Sequence, residues 1–298
     1  MDKENLDKYI ALLNREIKET EKDLNKEENN SRLLEILKKY RGEDKIISFK
    51  EIEEKVRNEK NELQIMTGWE EFDKHTRGFR PEQLVLLTAV TGSGKTSFCM
   101  DLTTKVREYN PVWFPFEESA DELVRKFVER GLEVPLAYTP EILLENQIEW
   151  IETRIIEAIA KHNSKIVFID HLEYVVPDGF DEVKQTSKVM RQIKGIAKKF
   201  KVTIVLVAHL KKVQVDKQPN VEDIKGSTSI TQQADTVIVL WRETKKEAGE
   251  VIITDNVNVS IQKNRRFGKC GNIKMRYDNG KFFEGAWETD AQKELLKF

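Results

Sequence analysis

Gly92, Ser93 and Gly94 are followed at once by Lys95 and Thr96, and four residues separate Ala89 from Gly94. Glycines let backbone N–H groups curl around a single anion. A lysine at that point can reach the β and γ phosphates of a nucleotide, and a threonine hydroxyl can ligate Mg²⁺. A Gly-rich turn alone would mean little. Here an apolar run precedes it and a helical pattern follows, which aims a helix N-terminus at the phosphate. Thr91, Gly92, Ser93, Gly94, Lys95, Thr96 and Ser97 are therefore the candidate nucleotide-binding residues, with ATP the expected substrate and Mg²⁺ the expected metal.

Such a loop needs an acid at a second strand end to hold the metal's water shell. Ile166-Val167-Phe168-Ile169 runs into Asp170, which could equally cap a turn but beside a phosphate loop is expected at the metal with Thr96. Hydrolysis also needs a group to orient the attacking water. The run Val112-Trp113-Phe114-Pro115-Phe116 ends in Glu117 and Glu118. One of this pair is expected to face the γ phosphate, and the other to serve the N-terminus of a helix starting near Ser119. A further run, Thr203–Ala208, delivers His209 to the same edge, where it could touch the γ phosphate.

The elements that must position these groups are legible as apolar runs separated by helical patterns. Strands are expected at Leu84–Ala89, Val112–Phe116, Ile166–Ile169, Thr203–Ala208, Thr236–Leu240 and Val257–Gln262, and helices at 96–108, 119–130, 141–162 and 182–200. Strands alternating with helices predict an α/β domain with a mostly parallel central sheet covered on both faces. Ile273–Tyr277 and Lys281–Glu284 flank Asp278-Asn279-Gly280, which predicts a C-terminal β-hairpin. The first ~65 residues differ. Leu6, Ile10, Leu13, Ile17 and Leu24 form one thin stripe, a second helix begins near Leu33, and Ser48 with Glu51 caps a third whose inner face is Ile52 and Val56. The chain thus reads as a small helical N-terminal arm, 1–65, before a large domain, 66–298. The arm is either a solvated tail or a piece that docks on a neighbouring subunit.

Composition narrows the class. The 298 residues carry 50 basic and 52 acidic side chains, so no overall positive field marks a nucleic-acid binder, and any such contact must come from a local patch. Two cysteines in no ligand spacing argue against a zinc site or disulfide scaffold and suit a reducing compartment. No stretch reads as a signal peptide or bilayer span, so a cytoplasmic location in a prokaryotic or virus-infected cell, with no membrane partner, is expected.

Taken in order, these segments resemble the RecA-fold motor domain of DnaB-type hexameric replicative helicases, and most closely the phage primase–helicase and mitochondrial branch. The resemblance runs from Thr67 to about Glu284. "FPFEES" resembles the stretch carrying that family's catalytic glutamate, which implies Glu117 for that role and leaves Glu118 to the cap. "VFIDHLEYV" resembles its metal-site strand. "IVLVAHLKK" resembles the strand whose His or Gln senses the γ phosphate. "DIKGSTSITQQAD" implies a nucleotide-contacting glutamine at Gln232. "IQKNRRFGKCG" resembles the Lys-x-Arg motif, which implies that Lys263 and Arg265 reach a neighbour's nucleotide as an arginine finger. Glu82 stands where a Gly is common, and Ala89 replaces the first glycine of the phosphate loop. No primase-like or zinc-binding module is recognisable in this chain.

What the resemblance implies is ATP-driven translocation on single-stranded DNA by a homo-hexameric or similar ring, unwinding duplex during replication, with a separate primase or polymerase as further partners. Lys211, Lys212, Lys217, Lys225 and Gly226 would then track the DNA backbone from loops facing the channel. Two rivals share the fold: a RecA/RadA or KaiC-like ATPase that does not unwind, and a nucleotide-gated scaffold or loader.

Overall fold

Leu84–Ala89, buried at every position, forms β1 in the middle of an eight-stranded sheet. Its residues alternate between two faces: Val85, Leu87 and Ala89 join one apolar layer, Leu84 and Leu86 the other. A strand covered on both sides must be apolar at every step, which is why it reads as a continuous run. The computed structural model describes residues 46–58, 63–90, 92–143, 145–177, 179, 181–210, 218–224, 227–247 and 250–285. The chain divides into two compact units, 1–61 and 62–298.

Along the second unit follow α2 (Glu70–Thr76; α1 belongs to the first unit), β1, α3 (Lys95–Lys105), β2 (Val112–Pro115), α4 (Ala120–Glu129) and α5 (Ile148–His162). Then come β3 (Ile166–Asp170), α6 (Leu172–Val175), α7 (Glu182–Phe200), β4 (Thr203–His209), α8 (Ser227–Gln233), β5 (Thr236–Glu247), β6 (Glu250–Asn264), β7 (Gly271–Asp278) and β8 (Lys281–Glu284). The sheet order is β2-β3-β4-β1-β5-β6-β7-β8, parallel as far as β5 and antiparallel beyond it. Phe72, Phe98, Leu123 and Phe127 from α2, α3 and α4 cover one face, and Ile151, Ile155, Val189 and Ile193 from α5 and α7 cover the other. This is the expected α/β, RecA-like arrangement with its C-terminal hairpin at Asn279-Gly280.

The departures have physical reasons. The helix expected over 141–162 starts only at Ile148, behind the extended Gln147. The strands β5 and β6 run far past the apolar cores that announce them, because their distal arms, Arg242–Glu247 and Glu250–Asn256, pair with each other while the side chains described there are half-buried to exposed. Glu82 takes φ +66, the left-handed backbone for which a Gly would be the easy choice, while its N–H donates to the Val202 carbonyl and its carbonyl accepts from Lys194.

In the first unit, α1 (Phe49–Asn58) is capped as its sequence requires: Glu51 accepts from the Ser48 N–H at 2.8 Å and the Ser48 hydroxyl accepts from the Glu51 N–H at 3.2 Å. The inner face expected at Ile52 and Val56 is a correction: they are 39% and 61% exposed. The two helices expected before residue 45 lie outside the described residues.

Candidate active site

The register of the parallel strands brings the predicted groups to one edge. Ala89 pairs with His209, and Pro115 with Asp170, so the ends of β1, β4, β2 and β3 align. The phosphate loop leaves β1 there. Gly92 at φ +79 and Gly94 at φ +88 take backbone shapes that side chains resist. A Cβ on Gly92 would meet nothing, so backbone shape rather than crowding calls for glycine at that position. The first turn of α3 carries no acidic residue, which leaves its positive end unopposed. Ser93, Lys95 and Ser97 are buried. Thr91 lies outside the described residues.

Thr96 Oγ1 donates to Asp170 Oδ2 at 3.0 Å. Asp170 is 3% exposed, and its other oxygen, Oδ1, has no hydrogen-bond partner among the described residues. Burial pushes this carboxyl up to about 6, against the hydrogen bond from Thr96, and the nearby Glu117 charge adds to the rise. A hydroxyl and a buried carboxylate with a spare oxygen, beside a phosphate loop, fit a hard cation with its water shell.

Lys95 Nζ lies 3.4 Å from His209 Nδ1. An ammonium can only donate, so Nδ1 accepts and the His209 proton sits on Nε2. Burial, then the charges of Lys95 and His171, hold His209 below the ordinary histidine range, so it is neutral at pH 7. Glu117 follows β2 with its side chain 48% exposed, and its N–H donates to the Asp170 carbonyl. Glu118 does not cap the next helix, contrary to expectation. Ser119 does, accepting from the Glu122 N–H, while Glu118 is buried in an ion pair with Lys126.

Two site residues escaped sequence reasoning: His171 and Glu173. His171 lies 2.6 Å from Glu173 through Nδ1 and 3.8 Å from Glu117 through Nε2. Burial pushes the Glu173 carboxyl up, but bonds to His171 and to backbone N–H groups outweigh it, and it settles at about 2. The available signal was their position directly behind Asp170, at a strand end already marked. Glu117, His171 and His209 bring ligand atoms within 4.8 Å of one another, among the described residues the sole such trio. The 3.8 Å between the His171 and Glu117 atoms exceeds the ~3.4 Å between ligands that zinc bonds near ~2.1 Å imply, and Lys95 stands against His209.

Lys263 and Arg265 lie on the opposite edge. Asn264 pairs with Thr236, which pairs with Val85 at the start of β1. The four steps from Val85 to Ala89 put roughly 13 Å of strand between the level of Asn264 and the phosphate loop. A register shift interrupts β6 near Lys263, and Arg265 is already past the strand. The two cations nevertheless converge: Lys263 Nζ and Arg265 Nη2 reach the Gln232 carbonyl at 3.3 and 2.7 Å. Arg265 also pairs with Asp235 at 3.4 Å, and Asp235 pairs in turn with Lys194. Burial and then Arg265 hold Lys263 below the ordinary lysine range. Gln232, expected at a nucleotide, is exposed on this far edge, remote from its own chain's phosphate loop.

Lys211, Lys212, Lys217, Lys225 and Gly226 lie outside the described residues. The segments flanking them are pinned: Leu210 bridges to Ile224, and Gln262 donates to the Pro219 carbonyl at 3.0 Å. Among the described residues no helix is long and apolar enough to cross a membrane.

Against this geometry, residues 64–150 and 142–283 match the family described as DnaB-like helicase C terminal domain. The chain belongs to that family. It is 25% identical over 291 residues to the replicative DNA helicase DnaB of Rickettsia typhi, covering 78% of this chain and 59% of the relative. With the replicative DNA helicase DnaC of Bacillus subtilis it shares 25% identity over 281 residues, covering 78% and 62%. The chain thus spans about three-fifths of the length of these relatives. A DnaB-like replicative helicase, solved in a study of its interactions with primase, superposes with a TM-score of 0.65 at 19% identity, covering 93% of this chain and 75% of that one. A KaiC-like protein, PH0186 of Pyrococcus horikoshii, superposes at 0.59 and 19% identity over 76% of this chain and all of that one. The DnaB-like family and the structural likenesses agree with the RecA-like fold; the branch nearest to this chain stays open.

Proposed function

We propose that this DnaB-like domain is an ATP-hydrolysing motor that assembles as a homo-hexamer or similar ring, moves on single-stranded DNA and unwinds duplex during replication. The observation that carries the reading is the roughly 13 Å of β1 between the phosphate loop and the level of Asn264, which separates Lys263 from Arg265. Neither cation can serve the nucleotide of its own chain, so a complete site needs a neighbour. Within one chain, Lys95 and the loop amides grip the β and γ phosphates, and His209 offers its Nε2–H to the γ phosphate. Glu117 orients and deprotonates the attacking water. Thr96 and Asp170 would hold Mg²⁺ and its water shell, which would supply positive charge against the phosphates. Lys263 and Arg265, with Gln232 beside them, meet the neighbour's γ phosphate.

The DNA contacts belong to Lys211, Lys212, Lys217, Lys225 and Gly226, three of which follow His209 closely in sequence. A separate primase or polymerase is the natural further partner, and the quoted motifs support a place in the phage primase–helicase and mitochondrial branch. Mass in solution should rise to that of a ring when Mg-nucleotide and single-stranded DNA are added, and a strand-displacement assay should then register unwinding. A ring that hydrolyses ATP without displacing a strand would instead support a KaiC-like or RecA-like ATPase.

A further inference from the structure

His171 and Glu173 have no part in the reaction just described, yet they sit between two groups that do. Glu173 is a carboxylate with both oxygens engaged: Oε2 lies 2.6 Å from His171 Nδ1, and Oε1 accepts the backbone N–H of His209 at 3.1 Å. An ionised carboxylate can only accept, so His171 Nδ1 donates and the ring orientation is set. Its far nitrogen, Nε2, lies 3.8 Å from Glu117 Oε2, beyond a hydrogen bond, so the ring bears on that carboxylate by packing contact. The same ring meets the His209 ring edge-on, with centroids 4.2 Å apart. His171 is 8% exposed, so packing leaves it little freedom to do otherwise. An unbroken series of contacts therefore runs Glu117, His171, Glu173, His209.

We infer that His171 and Glu173 are positioning residues that hold the Glu117 carboxylate and couple its orientation to the end of β4 at His209. The inference rests on Glu117 as the water-orienting carboxylate and His209 as the γ-phosphate contact. The coupling works through the backbone of His209, so it differs from any contact its imidazole makes with phosphate. If the strand end moves, the Glu173 carboxylate must either lose the 3.1 Å bond or follow it. Following it turns His171, and the Nε2 that faces Glu117 moves too. Displacing a reacting group by about 1 Å can cost on the order of 10²-fold in rate, so a small movement suffices to gate hydrolysis.

The test is steady-state ATP hydrolysis by the full chain with Mg²⁺ and single-stranded DNA. His171→Ala and Glu173→Ala should each lower kcat about 10- to 100-fold while KM for ATP stays within about twofold. Because the two act in series, the double variant should be no slower than the slower single one. His171→Gln, whose planar amide fills part of the ring's place beside Glu117, should recover several-fold of the loss. Additive losses, a change carried by KM, or kcat at the parent value would each overturn the link. Melting curves check the fold, and if either alanine variant unfolds, His171→Gln and Glu173→Gln carry the same kcat-against-KM comparison. Lys95→Ala and Glu117→Gln run alongside. If these hydrolyse ATP normally the catalytic reading itself has failed, whereas if they are dead and the His171 and Glu173 variants are normal, only the link has.

Discussion

Thr96 Oγ1 and Asp170 Oδ2 are 3.0 Å apart, and that hydrogen bond alone does not balance the burial of the aspartate, whose carboxyl is pushed up to about 6. Metal-free protein therefore holds a charge that it would rather lose. With the folded value above the ordinary 3.8, the native state binds the extra proton. Asp170's favourable contribution is complete below about pH 3.8 and disappears as pH rises through about 6. Two pKa units correspond to about 3 kcal/mol at most. Asp170→Asn should therefore melt higher than the parent at pH 7.5 without divalent cations, with the gap shrinking as pH falls toward 4. Mg-nucleotide should stabilise the parent more than the variant, which keeps Lys95 and the loop amides but loses one metal ligand. Equal melting temperatures at pH 7.5 would remove the strain from this account.

Glu117 and Glu118 are neighbours with different partners, so they should fail differently. Glu117→Gln should keep nucleotide binding and slow hydrolysis on the order of 10²-fold or more, the range for losing a positioned base. Glu118→Gln breaks a mostly buried pair with Lys126 and should lower stability by about 1–3 kcal/mol while sparing kcat. Nucleotide binding, turnover and melting of the two variants check this, and the opposite ranking of turnover would reverse their roles.

The basic loop after His209 makes a prediction of its own. Each lysine on a phosphate of single-stranded DNA contributes a slope of about 0.7 to the salt dependence of binding. Neutralising Lys211 and Lys212 together should flatten that slope by about one to one and a half units and weaken DNA stimulation of ATPase. An unchanged slope would return these lysines to ordinary solvated charge.

How far the sequence carried depended on how strongly each residue is constrained. β1 was legible to the residue because a strand buried on both faces tolerates only apolar side chains, and the phosphate loop because Gly92 and Gly94 need positive φ. Strand-end residues followed from the strands, which is why Asp170, Glu117 and His209 could be named in advance. The distal arms of β5 and β6 were not legible: pairing with each other constrains their backbones, and side chains such as Lys245, Thr254 and Asp255, half-buried or exposed, carry little of that information. Nor were His171 and Glu173, whose partners come together only through the β3–β4 pairing and the turn into α6. Glu118 was misassigned because a carboxylate before a helix is an ordinary cap, and only the fold reveals Lys126 on the following helix as the stronger partner.

The far edge of the sheet supplies the last prediction. Arg265 is held by the Gln232 carbonyl at 2.7 Å and by Asp235 at 3.4 Å, and it lies across the sheet from its own phosphate loop. If it completes a neighbour's site, it must exchange these partners for phosphate. Neither Arg265→Ala nor Lys95→Ala alone should then hydrolyse ATP well. Mixed in one ring, some interfaces pair the intact Lys95 of one chain with the intact Arg265 of the other, and those sites are whole. Arginine fingers are typically worth ~10³-fold or more, so even a minority of whole sites should stand above background. Mixing should therefore restore part of the lost turnover in a ratio-dependent way. Melting curves of Arg265→Ala separate this from simple loss of the Asp235 contact, since an unstable variant would depress activity at every mixing ratio. No recovery despite co-assembly, verified by mass, would mean that Arg265 serves only the structure of its own chain, and the shared site would lose its main support.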